Sequence, residues 1–282
     1  MARSGTRSSF CPRYTGVPGF RSYVEPFVGG GSVALAMAKK HPSIKLILND
    51  LDAGMSAFWD LVANAPDSEL QELADRILNT RPTMPLFNEI KESQPADRLG
   101  LAFRAFFLNR ASYGGMGLRP LGGKGQTSKG KIDSRWSAKN RVRDLREARG
   151  LLAGRTKVLN ADFVSVIPLS HEKALMFLDP PYYEAGNELY KFPWTDADHI
   201  RLHDALKGKG NWVMSYDEHP FIKDLYKTLA YLMRVKYSLG RNRKEMKELL
   251  LFPRLEFPTE FNSQVGMGDT LRIWIKGYGP KD

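Results

Sequence analysis

Residues 22–52, "SYVEPFVGGGSVALAMAKKHPSIKLILNDLD", constrain the fold more than any other stretch of the chain. "SYVEPF" is short and β-prone, "GGGSVALAMAKK" turns and carries helical spacing, and "IKLILND" reads as a buried strand ending in polar residues. A strand, a crossover helix and a second strand make a β-α-β unit. Such units close into a mostly parallel sheet with helices on both faces. The pattern resumes late in the chain with "TKVLNADF", "ALMFLDPPYY", the helical "DADHIRLHDALKG" and the strand "NWVMSYD". "LAYLMRVKYS", a basic link, "ELLLF" and "TLRIWIKG" follow. The expectation is an α/β fold built on a twisted sheet.

A different texture lies between these halves. "MSAFWDLVANAP", "DSELQELADRILNT" and "PADRLGLAFRAFFLNR" carry apolar residues at helical spacing, the last presenting Leu99, Phe103, Phe106 and Phe107. Pro82, Pro85 and Pro95 read as punctuation between helices. From Ala111 to Arg155 the chain turns glycine-rich and basic, then enters the arginine-dense helix "AKNRVRDLREARGLL". Residues 1–55 and 156–282 are therefore expected to form the α/β domain, with 56–155 a mainly helical insertion between its second and third strands.

The 282 residues carry a formal net charge of +11, a surplus suited to a polyanionic partner. One cysteine, Cys11, excludes an internal disulfide framework and a cysteine-based zinc cluster. No apolar run is long enough to span a membrane, and the basic N-terminus lacks a signal-like apolar core. A soluble, cytoplasmic monomer is expected.

"VGGGSVA" satisfies G-x-G-x-x-G/A through Gly29, Gly31 and Ala34, and Asp50 stands at the tip of the next strand. The glycines allow close backbone approach to a ligand, and the acid accepts hydrogen bonds from ribose hydroxyls. NAD would satisfy the same pattern, although Glu25 and Pro26 before the turn are unusual for a dinucleotide fold. In "KALMFLDPPYYEAG" a buried strand runs into Asp179-Pro180-Pro181-Tyr182. The prolines fix φ and remove N–H donors, which leaves a stiff, acceptor-rich turn. The Asp179 carboxylate and the Pro180 carbonyl suit an exocyclic amine, and Tyr182 offers a flat face to a base.

"VEPFVGGGS", "LND", "NADF" and "DPPYY", in that order, resemble the adenine-specific DNA methyltransferases of the Dam-like (class alpha) group. "FFLNRASYGG", "KIDSRW" and "YDEHPFIKDLY" are similar to that family too. The resemblance implies a Rossmann-like S-adenosylmethionine-dependent sheet with an inserted target-recognition subdomain. It implies transfer of a methyl group from S-adenosylmethionine to N6 of adenine in duplex DNA. Pro26, Phe27, Gly29 and Gly31 would cradle the cofactor, Asp50 would bind its ribose, and Asp162 and Phe163 its adenine. Asp179, Pro180, Pro181 and Tyr182 would grip the target base, with Asp179 also facing the cofactor. Tyr14 of "RYTGVPGF" matches a further cofactor contact, but Pro18 stands where family members carry a lysine.

An enzyme of this kind must extrude its base and hold the duplex meanwhile. Arg110, Arg119, Lys124, Lys129, Lys131 and Arg135 are expected along the glycine-rich loop, near phosphates, with Tyr113 as a stacking residue. Arg141, Arg143, Arg146 and Arg149 follow on the helix. His199 and His203 share i, i+4 spacing without a third ligand, so they read as helix-surface histidines, and no metal is expected. The alternatives left open are methylation of cytosine N4 or of RNA, an NAD-dependent oxidoreductase, and a non-catalytic DNA-binding relative.

Overall fold

The protein is seen in a computed structural model that describes residues 19–115, 117, 119–128, 130–184, 194–227, 229–239, 242–253 and 272–274. Tyr14 and Lys129 lie outside the described residues. In chain order the strands and helices begin with β1 (Ser22–Glu25), α1 (Ser32–Lys40) and β2 (Lys45–Asn49). Four helices follow: α2 (Ala53–Asn64), α3 (Asp67–Asn79), α4 (Met84–Glu92) and α5 (Arg98–Ala111). Then come α6 (Ala138–Leu152), β3 (Thr156–Leu159), α7 (Phe163–Val166) and β4 (Ala174–Leu178). The chain continues through α8 (Asp196–Ala205), β5 (Trp212–Asp217) and α9 (Pro220–Tyr226). It closes with β6 (Leu229–Leu239), β7 (Asn242–Phe252) and β8 (Arg272–Trp274).

Two compact units divide these elements. The first takes the chain up to Lys45 and from Phe163 onward, and the second takes Leu46–Asp162. In the first unit the strand order is β1-β4-β5-β7-β6-β8. β1, β4 and β5 run parallel, and β7, β6 and β8 add antiparallel. β4 is buried at every position, as its unbroken apolar run demands of a central parallel strand. Tyr23, Val24, Met37, Leu178, Met214 and Tyr216 fill the core around it.

β7 is longer than the sequence suggests. Of the residues taken for a basic link, 242–247 belong to one strand, Asn242–Phe252, paired with β6 from Leu239↔Asn242 to Leu229↔Phe252, and 240–241 lie outside the described residues. Pairing to β6 on one side and β5 on the other supplies the backbone hydrogen bonds, and local polarity does not override them.

In the second unit β2 and β3 pair in parallel from Leu46↔Thr156 to Asn49↔Leu159. α2 packs on β3 and on α5. Its Phe58 stacks on Phe106 at 5.8 Å, and Trp136 sets its ring against Phe106 at 5.5 Å and Phe107 at 5.3 Å. Arg98 of α5 bridges Asp60 of α2, at 2.8 Å, and Glu69 of α3. α4 is a helix where the prolines suggested only punctuation. Thr83 Oγ1 accepts the Leu86 N–H at 3.3 Å, and Pro85 falls in the first turn, where no N–H is needed.

Candidate active site

β1 and β4 are hydrogen-bonded neighbours running the same way, with Val24 beside Met176. Their carboxyl ends therefore share one edge, where open α/β sheets bind ligands. The first end carries Pro26, Phe27 and the glycine turn, and the second carries Asp179-Pro180-Pro181-Tyr182. The two sequence motifs meet within one unit.

The glycine turn is built for close approach. Gly29 sits at φ +42° and Gly31 at φ +64°, both in the left-handed region that an L side chain resists. The Gly31 N–H donates to Val28 O at 2.7 Å, which closes the turn. A Cβ placed on Gly29 meets no described atom within 4 Å, so the turn borders open space. No described side chain caps α1, so its first turn presents the N–H groups and positive dipole end that favour an anionic group. These features fit the amino-acid end of S-adenosylmethionine. Pro26 is buried, and the buried Glu25 carboxylate beside it accepts the Tyr23 hydroxyl at 2.7 Å. The Phe27, Phe163 and Trp194 rings pack as a triangle with centroids 5.3–5.6 Å apart, so Trp194, which no motif announced, joins two of the expected cofactor residues.

Strand β5 braces the Asp179 corner. Ser215 Oγ donates to Asp179 Oδ1 at 2.7 Å. The Asp217 carboxylate accepts the Tyr183 N–H at 2.9 Å and the Glu184 N–H at 2.7 Å, one on each oxygen. Tyr182 is 6% exposed, its ring nearly parallel to that of Tyr216 at 6.1 Å. Tyr183 stacks on His219 at 4.1 Å and donates its hydroxyl to Asp196 at 2.9 Å, an interaction that raises the phenol pKa. His199 is not a surface histidine. It is 1% exposed, with Nδ1 against the Tyr216 hydroxyl, and burial lowers its pKa. The lack of a third ligand favoured a surface position in the sequence, but the α8 face that bears His199 and Leu202 packs inward. His203 faces its neighbour Asp204 at 3.0 Å. Among the described residues no group of three or more His, Cys, Asp or Glu could hold a metal ion.

In the second unit the tips of β2 and β3 carry the other two predicted acids. Asp50 Oδ1 accepts the Asp52 N–H at 2.9 Å, which fixes the turn into α2. Ser56 Oγ and Asn160 Nδ2 both reach the Asp50 carbonyl, at 2.8 and 2.9 Å. Asn49 joins the same tip to Ala161 through two hydrogen bonds, so Asp50 and the Ala161-Asp162 turn are fixed together. Both acids are half-buried.

The basic region is more ordered than its glycine content suggests. Gln126 Nε2 donates to the carbonyls of Leu121 and Gly123, and its Oε1 accepts the Ile132 N–H at 2.8 Å. Arg119, Lys124 and Lys131 are exposed, Arg135 is half-buried, and Tyr113 is 42% exposed. Arg110 is not on the loop. It occupies the last turn of α5, where the helix's apolar face carries it inward to 7% exposure, 5.8 Å over the Phe106 ring. Its Nε finds no hydrogen-bond partner among the described residues.

No described helix is long and apolar enough to cross a membrane. Type II methyltransferase M.MjaIII of Methanocaldococcus jannaschii is 25% identical over 202 residues, which cover 64% of this chain and 67% of that protein. The DNA N-6-adenine-methyltransferase of Escherichia phage P1 is 28% identical over 176 residues, 61% of this chain and 22% of the phage protein. The chain thus spans about a fifth of the phage protein's length. Among solved structures, the rRNA methyltransferase aviRa of Streptomyces viridochromogenes aligns over 88% of this chain and 81% of its own, at 13% identity and a TM-score of 0.37. The sequence profile of the D12 class N6 adenine-specific DNA methyltransferases matches residues 15–239, a span that includes the glycine turn, both acid-bearing strand tips and the Asp179 corner. The chain belongs to the D12 class N6 adenine-specific DNA methyltransferase family.

Proposed function

We propose that the protein transfers a methyl group from S-adenosylmethionine to the N6 amine of adenine in duplex DNA. The observation that carries this reading is the shared carboxyl edge of β1 and β4, which brings a glycine turn suited to the cofactor beside an acceptor corner suited to the base. The bound cofactor supplies a methyl carbon already made electrophilic by its sulfonium. The chain's task is therefore alignment.

Gly29 and Gly31 admit the amino-acid end of the cofactor, with Pro26 and Phe27 at the turn and Phe163 as an apolar wall. Asp50 offers a carboxylate for ribose hydroxyls and Asp162 one for the adenine. The Asp179 carboxylate and the Pro180 carbonyl accept the two hydrogens of the target amine. That arrangement turns the nitrogen lone pair out of conjugation with the ring and toward the methyl group. Tyr182 lies along the base. Both groups hold those hydrogens, and the Asp179 carboxylate is the basic one of the two, through which the proton shed by the nitrogen on methylation leaves. Arg119, Lys124, Lys131 and Arg135 lie in the region proposed to contact phosphates. A net charge of +11 suits that partner, because phosphate contacts position the duplex and release counterions.

Incubation with unmethylated duplex DNA and labelled cofactor, followed by digestion to nucleosides and mass analysis, tests the reading. N6-methyladenine is expected from the wild type and none from folded Asp179→Ala. Full activity in Asp179→Ala, or label found on cytosine or only on RNA, overturns it.

A further inference from the structure

We infer that Ser215 and Asp217 of β5 are positioning residues for methyl transfer, holding the Asp179–Tyr182 corner in the shape that accepts the amine. The inference rests on the reading of that corner as the amine-binding site. Pro180 and Pro181 have no N–H, so the corner cannot anchor itself to the sheet through its own first residues. It must be held by its acid in front and by the N–H groups that follow. The described contacts do both. Ser215 Oγ takes one lone pair of Asp179 Oδ1 at 2.7 Å and so fixes the carboxylate's rotation. Asp217 presents its two oxygens to the N–H groups of Tyr183 and Glu184, at 2.9 and 2.7 Å, and so fixes the exit from the turn.

These braces stand on rigid backbone. β5 pairs with β4 from Met176↔Trp212 to Leu178↔Met214, and the next step of that register brings Ser215 level with Asp179. On its other edge β5 pairs with β7, Ser215↔Leu250 and Asp217↔Glu248. Ser215 is 2% exposed and Asp217 6% exposed, and their i, i+2 spacing puts both on one face of the strand. Tyr216 between them backs the Tyr182 ring from the other face. Side chains locked this way hold a reactive geometry that a loop alone does not. Asp217 also has a specific chemical requirement. Its two N–H partners fall on separate oxygens, so an asparagine in the same place turns its NH2, a donor, toward one of them.

The test measures the single-turnover rate of methyl transfer at saturating cofactor and duplex DNA, with the cofactor KM and duplex affinity measured beside it. Ser215→Ala and the isosteric Asp217→Asn are each expected to lower the rate about 10- to 100-fold, the factor for one hydrogen bond to a charged group. The cofactor KM and duplex affinity should stay within about twofold. Ser215→Thr, which keeps the hydroxyl, should recover most of the rate. If Ser215→Ala does not fold, Ser215→Cys replaces it under the same outcomes. Wild-type rates in both folded variants overturn the inference, as does a loss confined to KM or a failure of Ser215→Thr to recover more than Ser215→Ala. Asp179→Ala in the same assay separates the two levels. If it is inactive while Ser215→Ala and Asp217→Asn are fully active, only the positioning role fails. If it is itself fully active, the parent reading fails.

Discussion

Asn49 and Ala161 exchange two hydrogen bonds across 112 residues of sequence, Nδ2 to the carbonyl at 2.9 Å and N–H to Oδ1 at 3.0 Å. The side-chain amide acts here as an extra rung beyond the last paired residues of β2 and β3, Asn49↔Leu159. Asn49 itself is 1% exposed, so the side-chain end of each bond is shielded from water.

Removal of that rung should loosen Asp50 and Asp162 together. Asn49→Ala removes both hydrogen bonds to the half-buried Ala161 backbone, at about 1 kcal/mol each. Urea unfolding should show a lower midpoint at an unchanged slope, and titration should show weaker S-adenosylmethionine binding. Asn49→Asp keeps the acceptor but sets a buried carboxylate oxygen against the Ala161 carbonyl, so its loss should be at least as large as that of Asn49→Ala.

Gly29 differs from an ordinary turn glycine in what lies beyond it. Alanine at position 29 must hold φ +42°, a strain of about 1 kcal/mol. It meets no described protein atom within 4 Å, so the folded protein has room for the methyl group. The expectation is a thermal midpoint lowered by a few degrees and cofactor affinity lowered by more than tenfold. Equal cofactor affinity in the two proteins would mean that the space beside the turn serves something else.

The two motif-bearing strand ends were legible in the sequence because their signals are local. An apolar run such as "ALMFL" has one stable place in an α/β sheet, and a glycine turn or a Pro-Pro turn shows itself within a few residues. Ser215, Asp217, Asn49 and Gln126 were not legible. Each acts across a sheet or a loop closure, and a serine in "NWVMSYD" or an asparagine in "LND" looks the same whether or not it has a distant partner. The helical periodicity of "FRAFFLNR" was recognised, but which basic residue its inward face would carry was not. Arg110 was therefore read as part of the following loop.

His199 gives the fold an acid limit. Burial lowers its pKa below the ordinary 6.5, so the unfolded chain binds a proton that the folded chain refuses. The sign follows by linkage: stability is full above about pH 6.5 and falls as the pH drops toward the folded value. Thermal melts between pH 7.5 and 5 should show a falling midpoint in the wild type. His199→Gln, which cannot titrate, should give a flatter curve over that range and a lower midpoint at pH 7.5, because it loses the Tyr216 contact.

Arg110 should respond in opposite directions to folding and to DNA. Burial first, then the charge of Arg141, push its pKa down to about 10, against a smaller pull from Asp144 and with a last, smaller push from Arg135. A lowered base pKa means that the charged form is less welcome in the folded protein than in the unfolded chain. At pH 7 the penalty is fully present, and it is relieved only as the pH rises past about 10. Arg110→Met keeps the apolar contact with Phe106 and removes the charge, so the DNA-free protein should be equally or more stable, as buried charges replaced by apolar residues often are. Duplex binding should weaken, because Nε has no acceptor among the described residues and a phosphate would supply one. The slope of log affinity against log salt should shrink by about one unit, the signature of one lost phosphate contact. A less stable Arg110→Met with unchanged salt dependence would make this arginine a packing residue of α5.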